Sequence, residues 1–80
     1  VDEIKIDKSF VMRMLESEKD MAFVRAVIDL AHNFSLKVVA EGVENQAIAT
    51  ALAEMRCDIL QGYFFDKPLP IDQFNSSYHL

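Results

Sequence analysis

The feature that most constrains this chain is a short apolar run that does not alternate. Leu36, Val38, Val39 and Ala40 are interrupted only by Lys37, and Glu41 and Gly42 end the run. A strand with one wet face alternates apolar and polar residues. A strand covered on both faces does not, and that is the habit of parallel sheets. Parallel strands are joined by crossovers, usually helices, and the flanking sequence supplies them. Upstream, Phe23, Val24, Val27, Ile28, Leu30, Ala31 and Phe34 recur at three- and four-residue spacing. This predicts an amphipathic helix to about Asn33, with Asp20 as its N-cap and Asn33 and Ser35 ending it. Downstream, Asn45 can cap an alanine-rich helix over 46–55.

The ends of the chain extend the pattern. Ile4 and Ile6 alternate with Glu3, Lys5 and Asp7, which predicts a first strand. Residues 8–20 are expected to be a polar connection with a helical turn around 10–15. A third strand is expected over 59–65. Pro68 and Pro70 should break the chain, 71–75 can form a short last helix, and 76–80 should fray. The predicted order is β-α-β-α-β: an α/β architecture with parallel strands and right-handed crossovers. At 80 residues the chain is at most one domain and its stability is marginal. Its apolar share of 51% lies above the usual value of about 45–50%. So rich a core in so short a chain suggests residues that expect further neighbours.

Thirteen acids against eight bases give a net charge of −5. Binding a long phosphate backbone needs a basic face, so a nucleic-acid polymer is not an expected partner. Cys57 is the only cysteine, which excludes an internal disulfide. Its neighbours Met55 and Ile59 point to a buried structural thiol. No apolar run approaches the ~18–20 residues that span a bilayer, so this chain is expected to carry no membrane segment and to be cytoplasmic; a longer parent could be anchored through other domains. Met12, Met14, Met21 and Met55 are expected to pack, and Tyr63, Phe64 and Phe65 to serve core and interface. His32 suits a helix C-terminus. No phosphate loop, nucleophile elbow, CxxC pair or HExxH is present.

In α/β folds, ligands bind at the carboxyl ends of the parallel strands. The first strand places Lys5 and Asp7 there, the second Glu41 and Glu44, the third Gln61. Lys5 is either a solvated surface lysine or an ammonium that orients a water or steadies a phosphate. Asp7 is either a rim carboxylate or a turn residue or helix cap. Glu41 interrupts an apolar strand before a glycine, where a hard cation such as Mg²⁺ or Mn²⁺ could take an oxygen ligand. Glu44 is open between a site residue, a loop acid and a helix cap. Gln61, if buried, must find hydrogen-bond partners, as a structural bridge or as a substrate contact.

The segments Glu3-Ile-Lys-Ile-Asp-Lys-Ser-Phe10, Val38-Val-Ala-Glu-Gly-Val-Glu44, Cys57-Asp58, Gln61-Gly-Tyr63 and Lys67-Pro-Leu-Pro70 resemble, in order and spacing, the closing motifs of the EAL domain family. The resemblance implies the C-terminal third of a TIM-like (β/α)8 barrel, with residues 1–80 as a single partial domain. It implies a metal-dependent phosphodiesterase of bacterial signal transduction that hydrolyses the second messenger cyclic di-GMP to the linear dinucleotide. By the same resemblance Lys5 positions or polarises the attacking water, and Glu41 is a catalytic-site carboxylate serving the second of two Mg²⁺ or Mn²⁺ ions. Asp7 supports the site, Glu44 holds a substrate-binding and dimerisation loop, Gln61 lies near substrate and water, and Pro68 borders the nucleotide pocket. Ser35 and Arg56 stand where the family usually has glycine, and Asp66 where it has serine. The Glu-Ala-Leu motif, the asparagine and glutamate ligands and the paired aspartates lie upstream in the family and are not in this sequence. The isolated chain is therefore expected to need the remainder of the domain for activity and to self-associate through open sheet edges. An alternative expectation is a fragment of a degenerate EAL domain, acting as a cyclic di-GMP receptor or a protein-interaction module; a stand-alone α/β module is a third.

Overall fold

The computed structural model describes residues 2–62 and 67–78. Its elements run β1 (Glu3–Ile6), α1 (Lys8–Arg13), α2 (Glu18–Asn33), β2 (Lys37–Ala40), α3 (Gln46–Glu54), β3 (Ile59–Leu60), β4 (Leu69–Pro70) and α4 (Ile71–Tyr78). The sheet order is β1-β2-β3-β4. β1, β2 and β3 are parallel, with Lys5 opposite Val39 and Ala40 opposite Leu60. The unalternating run behaves as its composition requires: Val38, Val39 and Ala40 are all buried.

Several boundaries differ from expectation. Asp20 is not the N-cap of the long helix. Ser17 is, its hydroxyl accepting from the Asp20 backbone N–H at 3.2 Å. A serine three residues ahead of an acid reaches the exposed N–H groups of the first turn, and that leaves the Asp20 carboxylate to pair with Arg13 at 3.3 Å. The connection over 8–20 holds a helix of its own, α1, started by Asp7. The prolines do not simply break the chain. Leu69 and Pro70 form β4, antiparallel to β3, with Leu60 opposite Leu69 and Ile59 opposite Pro70. Pro70 is tolerated because β4 is an edge strand among the described residues, where a missing N–H is not missed. β3 is only two residues long, and the rest of its expected span reaches residues 63–66, outside the described residues, as do Tyr63, Phe64, Phe65 and Asp66. α4 runs to Tyr78, beyond the turn expected over 71–75 and through residues expected to fray.

The core lies between the sheet and the helices. From the strands it takes Ile6, Val38, Ala40 and Leu60; from α2, Val24, Ile28 and Ala31; from α3, Ile48, Ala49 and Leu52; from α4, Phe74. The 24-28-31 spacing of α2 and the 48-49-52 spacing of α3 are the inward faces of amphipathic helices. Met14 and Met55 are buried, Met21 packs at the edge of the core, and Met12 is exposed. Cys57 is buried, and burial pushes its thiol pKa up to about 11.

Both long helices close in the same way. At the end of α2, Ser35 N–H donates to the His32 carbonyl at 3.0 Å and Leu36 N–H to the Ala31 carbonyl at 2.8 Å. At the end of α3, Arg56 N–H donates to Ala53 and Cys57 N–H to Leu52, both at 3.0 Å. These paired bonds are Schellman closures, which put the residue after the cap in the left-handed region. Ser35 has φ 60° and Arg56 φ 69°. Among the described residues, no helix is long and apolar enough to cross a membrane.

Candidate functional site

The pleat decides which side chains share a face. Ile6, Ala40 and Leu60 form one rung of the parallel sheet and point into the helix-packed core. Lys5, Val39 and Ile59 form the neighbouring rung, so they point to the opposite face. Lys5 is exposed there. One step beyond the Ile6 rung, the three strands end together at Asp7, Glu41 and Gln61. Continuing the β3–β4 register sets Pro68 beside Gln61 at that same end. The carboxyl ends of β1, β2 and β3 thus gather Lys5, Asp7, Glu41 and Gln61 on one rim.

Backbone bonds hold the rim together past the last strand residues. Glu41 N–H donates to the Ile6 carbonyl at 3.2 Å, Gln61 N–H to Ala40 at 2.9 Å, and Val43 N–H to Gln61 at 3.0 Å. Val43 is fully buried and anchors the turn that carries Glu41. The two glycines make this closeness possible. Gly42 sits at φ 81°, and a Cβ there would lie 2.4 Å from the Lys8 Cβ. A Cβ on Gly62 would lie 2.4 Å from the backbone N and O of Val43. The turn is therefore wedged between the start of α1 and the end of β3, and Glu41, half-buried, is held by backbone it cannot easily leave.

The other expected residues resolve differently. Asp7 is the N-cap of α1: its carboxylate accepts from the Ser9 backbone N–H at 2.9 Å and from the Ser9 hydroxyl at 2.6 Å. The Ser9 hydroxyl, then its N–H, hold the Asp7 carboxyl below its usual pKa. Glu44 is exposed and does not cap α3. Asn45 does, accepting from Ile48 N–H at 2.9 Å. Gln61 is exposed, so its amide is free to meet solvent or a ligand. Pro68 is exposed as well.

One constellation escaped the sequence reading. His32, expected only to suit the end of its helix, lies 2.8 Å through Nε2 from an Asp58 carboxylate oxygen. The same oxygen accepts from Val38 N–H at 2.8 Å. Asp58 thereby ties the end of α2 to the heads of β2 and β3. No local signal reveals a pair 26 residues apart.

Among the described residues, no three His, Cys, Asp or Glu side chains gather closely enough to hold a metal ion. Glu41 offers one hard oxygen donor of the kind Mg²⁺ or Mn²⁺ takes, and the described residues around it do not complete a site. Nor does an ion pair among them join Lys5 to Glu41. A groove of about 650 Å³ beside the α1–α2 turn, lined by Met14, Leu15, Ser17, Met21, Arg25 and Asp29 among others, contains none of the rim residues.

A parallel α/β sector with charged groups on the carboxyl rim has the architecture of barrels whose ligand sites lie at the strand ends. A family model described as the EAL domain matches residues 1–68, and the chain belongs to that family. It is 44% identical over 71 residues to the cyclic di-GMP phosphodiesterase NbdA of Pseudomonas aeruginosa, covering 89% of this chain and 9% of that protein. It is 44% identical over 73 residues to the oxygen sensor protein DosP of Escherichia coli, covering 91% of this chain and 9% of that protein. Among solved structures it is similar to the EAL enzyme Bd1971 in its cAMP- and cyclic-di-GMP-bound form. That match has a TM-score of 0.80 and 38% identity and covers all of this chain, or 21% of the other. The PaMucR phosphodiesterase in complex with c-di-GMP matches with a TM-score of 0.79 and 36% identity, over 92% of this chain and 30% of that one. The chain thus spans about a tenth of these curated relatives, and its fold is a sector of the EAL barrel.

Proposed function

We propose that residues 1–80 are the C-terminal sector of an EAL-domain phosphodiesterase that hydrolyses cyclic di-GMP to the linear dinucleotide, with Mg²⁺ or Mn²⁺ as cofactor. The observation that carries this reading is the shared rim: Lys5 and Glu41 emerge at the carboxyl ends of paired strands, in a family whose named relatives include cyclic di-GMP phosphodiesterases. In this reading the Lys5 ammonium orients the attacking water and steadies charge that builds on the phosphate. Glu41 supplies one metal-ligand oxygen, and its remaining co-ligands come from the rest of the domain. Asp7 acts through α1, whose first turn it fixes against Gly42. Glu44 and Gln61 border the substrate, with Pro68 at the edge of the nucleotide pocket.

The test belongs in the full EAL protein that contains this segment. Lys5→Ala and Glu41→Ala should each lower cyclic di-GMP turnover by roughly 100-fold or more, in the range seen when a charge-stabilising group is removed. Turnover within about threefold of wild type for either variant would remove that residue's assigned role. Wild-type protein that binds cyclic di-GMP in titration calorimetry but releases no linear product would favour a receptor instead. In this reading the 80-residue chain by itself is inactive, because the co-ligands that Glu41 needs come from the rest of the domain.

A further inference from the structure

We propose that Lys8 is a positioning residue for Glu41, acting through its methylene stem and not through its charge. This role rests on the reading of Glu41 as a metal ligand. The turn that carries Glu41 is gripped from three directions. From β1, the Ile6 carbonyl accepts from the Glu41 N–H at 3.2 Å. From β3, the Gln61 carbonyl accepts from the Val43 N–H at 3.0 Å, and a Cβ on Gly62 would meet the Val43 backbone at 2.4 Å. From α1 the grip is a side chain. A Cβ on Gly42 would meet the Lys8 Cβ at 2.4 Å, its Cα at 3.0 Å and its Cγ at 3.7 Å. The first two grips are hydrogen bonds and close approaches of backbone. The third depends on which residue stands at position 8.

Lys8 has little room to withdraw. The residues on either side of it are bonded to each other: Asp7 accepts from the Ser9 N–H at 2.9 Å and from the Ser9 hydroxyl at 2.6 Å. Further along α1, Val11 is fully buried in the core, and Phe10 stacks on Phe23 of α2 with ring centroids 4.4 Å apart. α1 is thus anchored on the helix side of the sheet. The alternation of β2 sends Ala40 to that side and Glu41 to the face of Lys5. Lys8 therefore backs the turn from behind the carboxylate.

The charge of Lys8 is its lesser part. A cation in the first turn of a helix opposes the helix dipole. No ion pair among the described residues joins the Lys8 ammonium to an acid. Lys8 is exposed, so its head can stay in water while its stem covers Gly42. The Ser9 hydrogen bonds lower the Asp7 carboxyl most, and the Lys8 charge least. A packed stem narrows the conformations open to the turn, and a carboxylate held in place loses less freedom when a cation binds it. Removing a group that orients a metal ligand typically weakens metal binding by about 10- to 100-fold.

Titration calorimetry with Mn²⁺, and turnover against Mn²⁺ concentration, in the full EAL protein that contains this segment test this. Lys8→Gly should raise the Mn²⁺ dissociation constant and the half-saturating concentration about tenfold. Lys8→Met keeps the stem, loses the charge and should leave both within about twofold of wild type. Gly42→Ala alone should weaken Mn²⁺ binding at least as much as Lys8→Gly. In the double variant the 2.4 Å collision is gone and the 3.0 Å contact remains, so its loss should be smaller than the two single losses combined. Met12→Gly, at an exposed position of α1, is the control for a weaker helix and should leave Mn²⁺ binding unchanged. A Lys8→Met variant that behaves as Lys8→Gly does, an equal loss from Met12→Gly, or an additive double variant would overturn the proposal. Glu41→Ala separates this role from the reading it rests on. If Glu41→Ala leaves Mn²⁺ binding intact, the assignment of Glu41 fails and that of Lys8 with it. If Glu41→Ala weakens binding and Lys8→Gly does not, the role of Lys8 alone fails.

Discussion

Replacing Ser35 and Arg56 by glycine should stabilise the fold, and the sign of the effect is set by two dihedral angles. Both residues follow a helix cap in the left-handed region, at φ 60° and 69°. For a residue with a Cβ that conformation costs about 1–2 kcal/mol. Glycine avoids the cost but gives up about 0.5–1 kcal/mol through the greater freedom of its unfolded chain. The difference leaves a gain of roughly 0.5–1 kcal/mol at each site. The two residues close different helices and share no hydrogen-bond partner, so Ser35→Gly and Arg56→Gly together should give about 1–2 kcal/mol. With a urea slope near 1 kcal/mol/M for so small a chain, each substitution should move the unfolding midpoint up by about 0.5–1 M without changing the slope. Urea titration by circular dichroism, at one protein concentration, measures this. Ala26→Gly, in the exposed interior of α2, is the control and should lower stability by about 1 kcal/mol. If glycine at 35 or 56 lowers the midpoint as the control does, the Schellman account of these helix ends is wrong.

Further outcomes follow from other contacts. Gly42→Ala should cost about 2–4 kcal/mol by urea titration, because strain at positive φ adds to a collision with Lys8. Asp58→Ala should cost about 2–3 kcal/mol, since it strips a partner from the Val38 N–H as well as from His32; His32→Ala, which leaves the Val38 bond intact, should cost less. Burial raises the Cys57 thiol to about 11, so the native state holds its proton where the unfolded chain has released it. Stability from this group is full below the unfolded thiol pKa of about 8.5, and falls by roughly 2–3 kcal/mol as the pH rises to 11. The wild-type-minus-Cys57→Ala difference in urea stability should show that fall, and the native thiol should resist alkylation at pH 8.

Much of the fold was legible because its signals are local. The unalternating strand, the 24-28-31 helix face and the Asn45 cap each depend on residues within a few positions of one another. Ser17 displaced Asp20 as the cap because several side chains nearby can serve, and the choice rests on backbone direction. β4 was missed because proline argues against a strand everywhere except at an edge, and the sequence does not say where the edges are. The rim was legible through the register of parallel strands, which follows from the strand ends themselves. Asp7 was left between rim group and cap, and the Ser9 bonds show that it caps α1. The His32–Asp58 tie was not legible, since only the crossover brings its ends together.

The two borders of the sheet are unequal. On one side β4 is two residues long and half of it is proline, so it has little backbone hydrogen bonding left to offer a newcomer. On the other, β1 is a four-residue strand with its outer side open among the described residues. A sheet grows only from a border that still offers its N–H and C=O groups, so in a barrel sector of this kind β1 is the side from which the sheet continues, while proline makes β4 the side at which it stops.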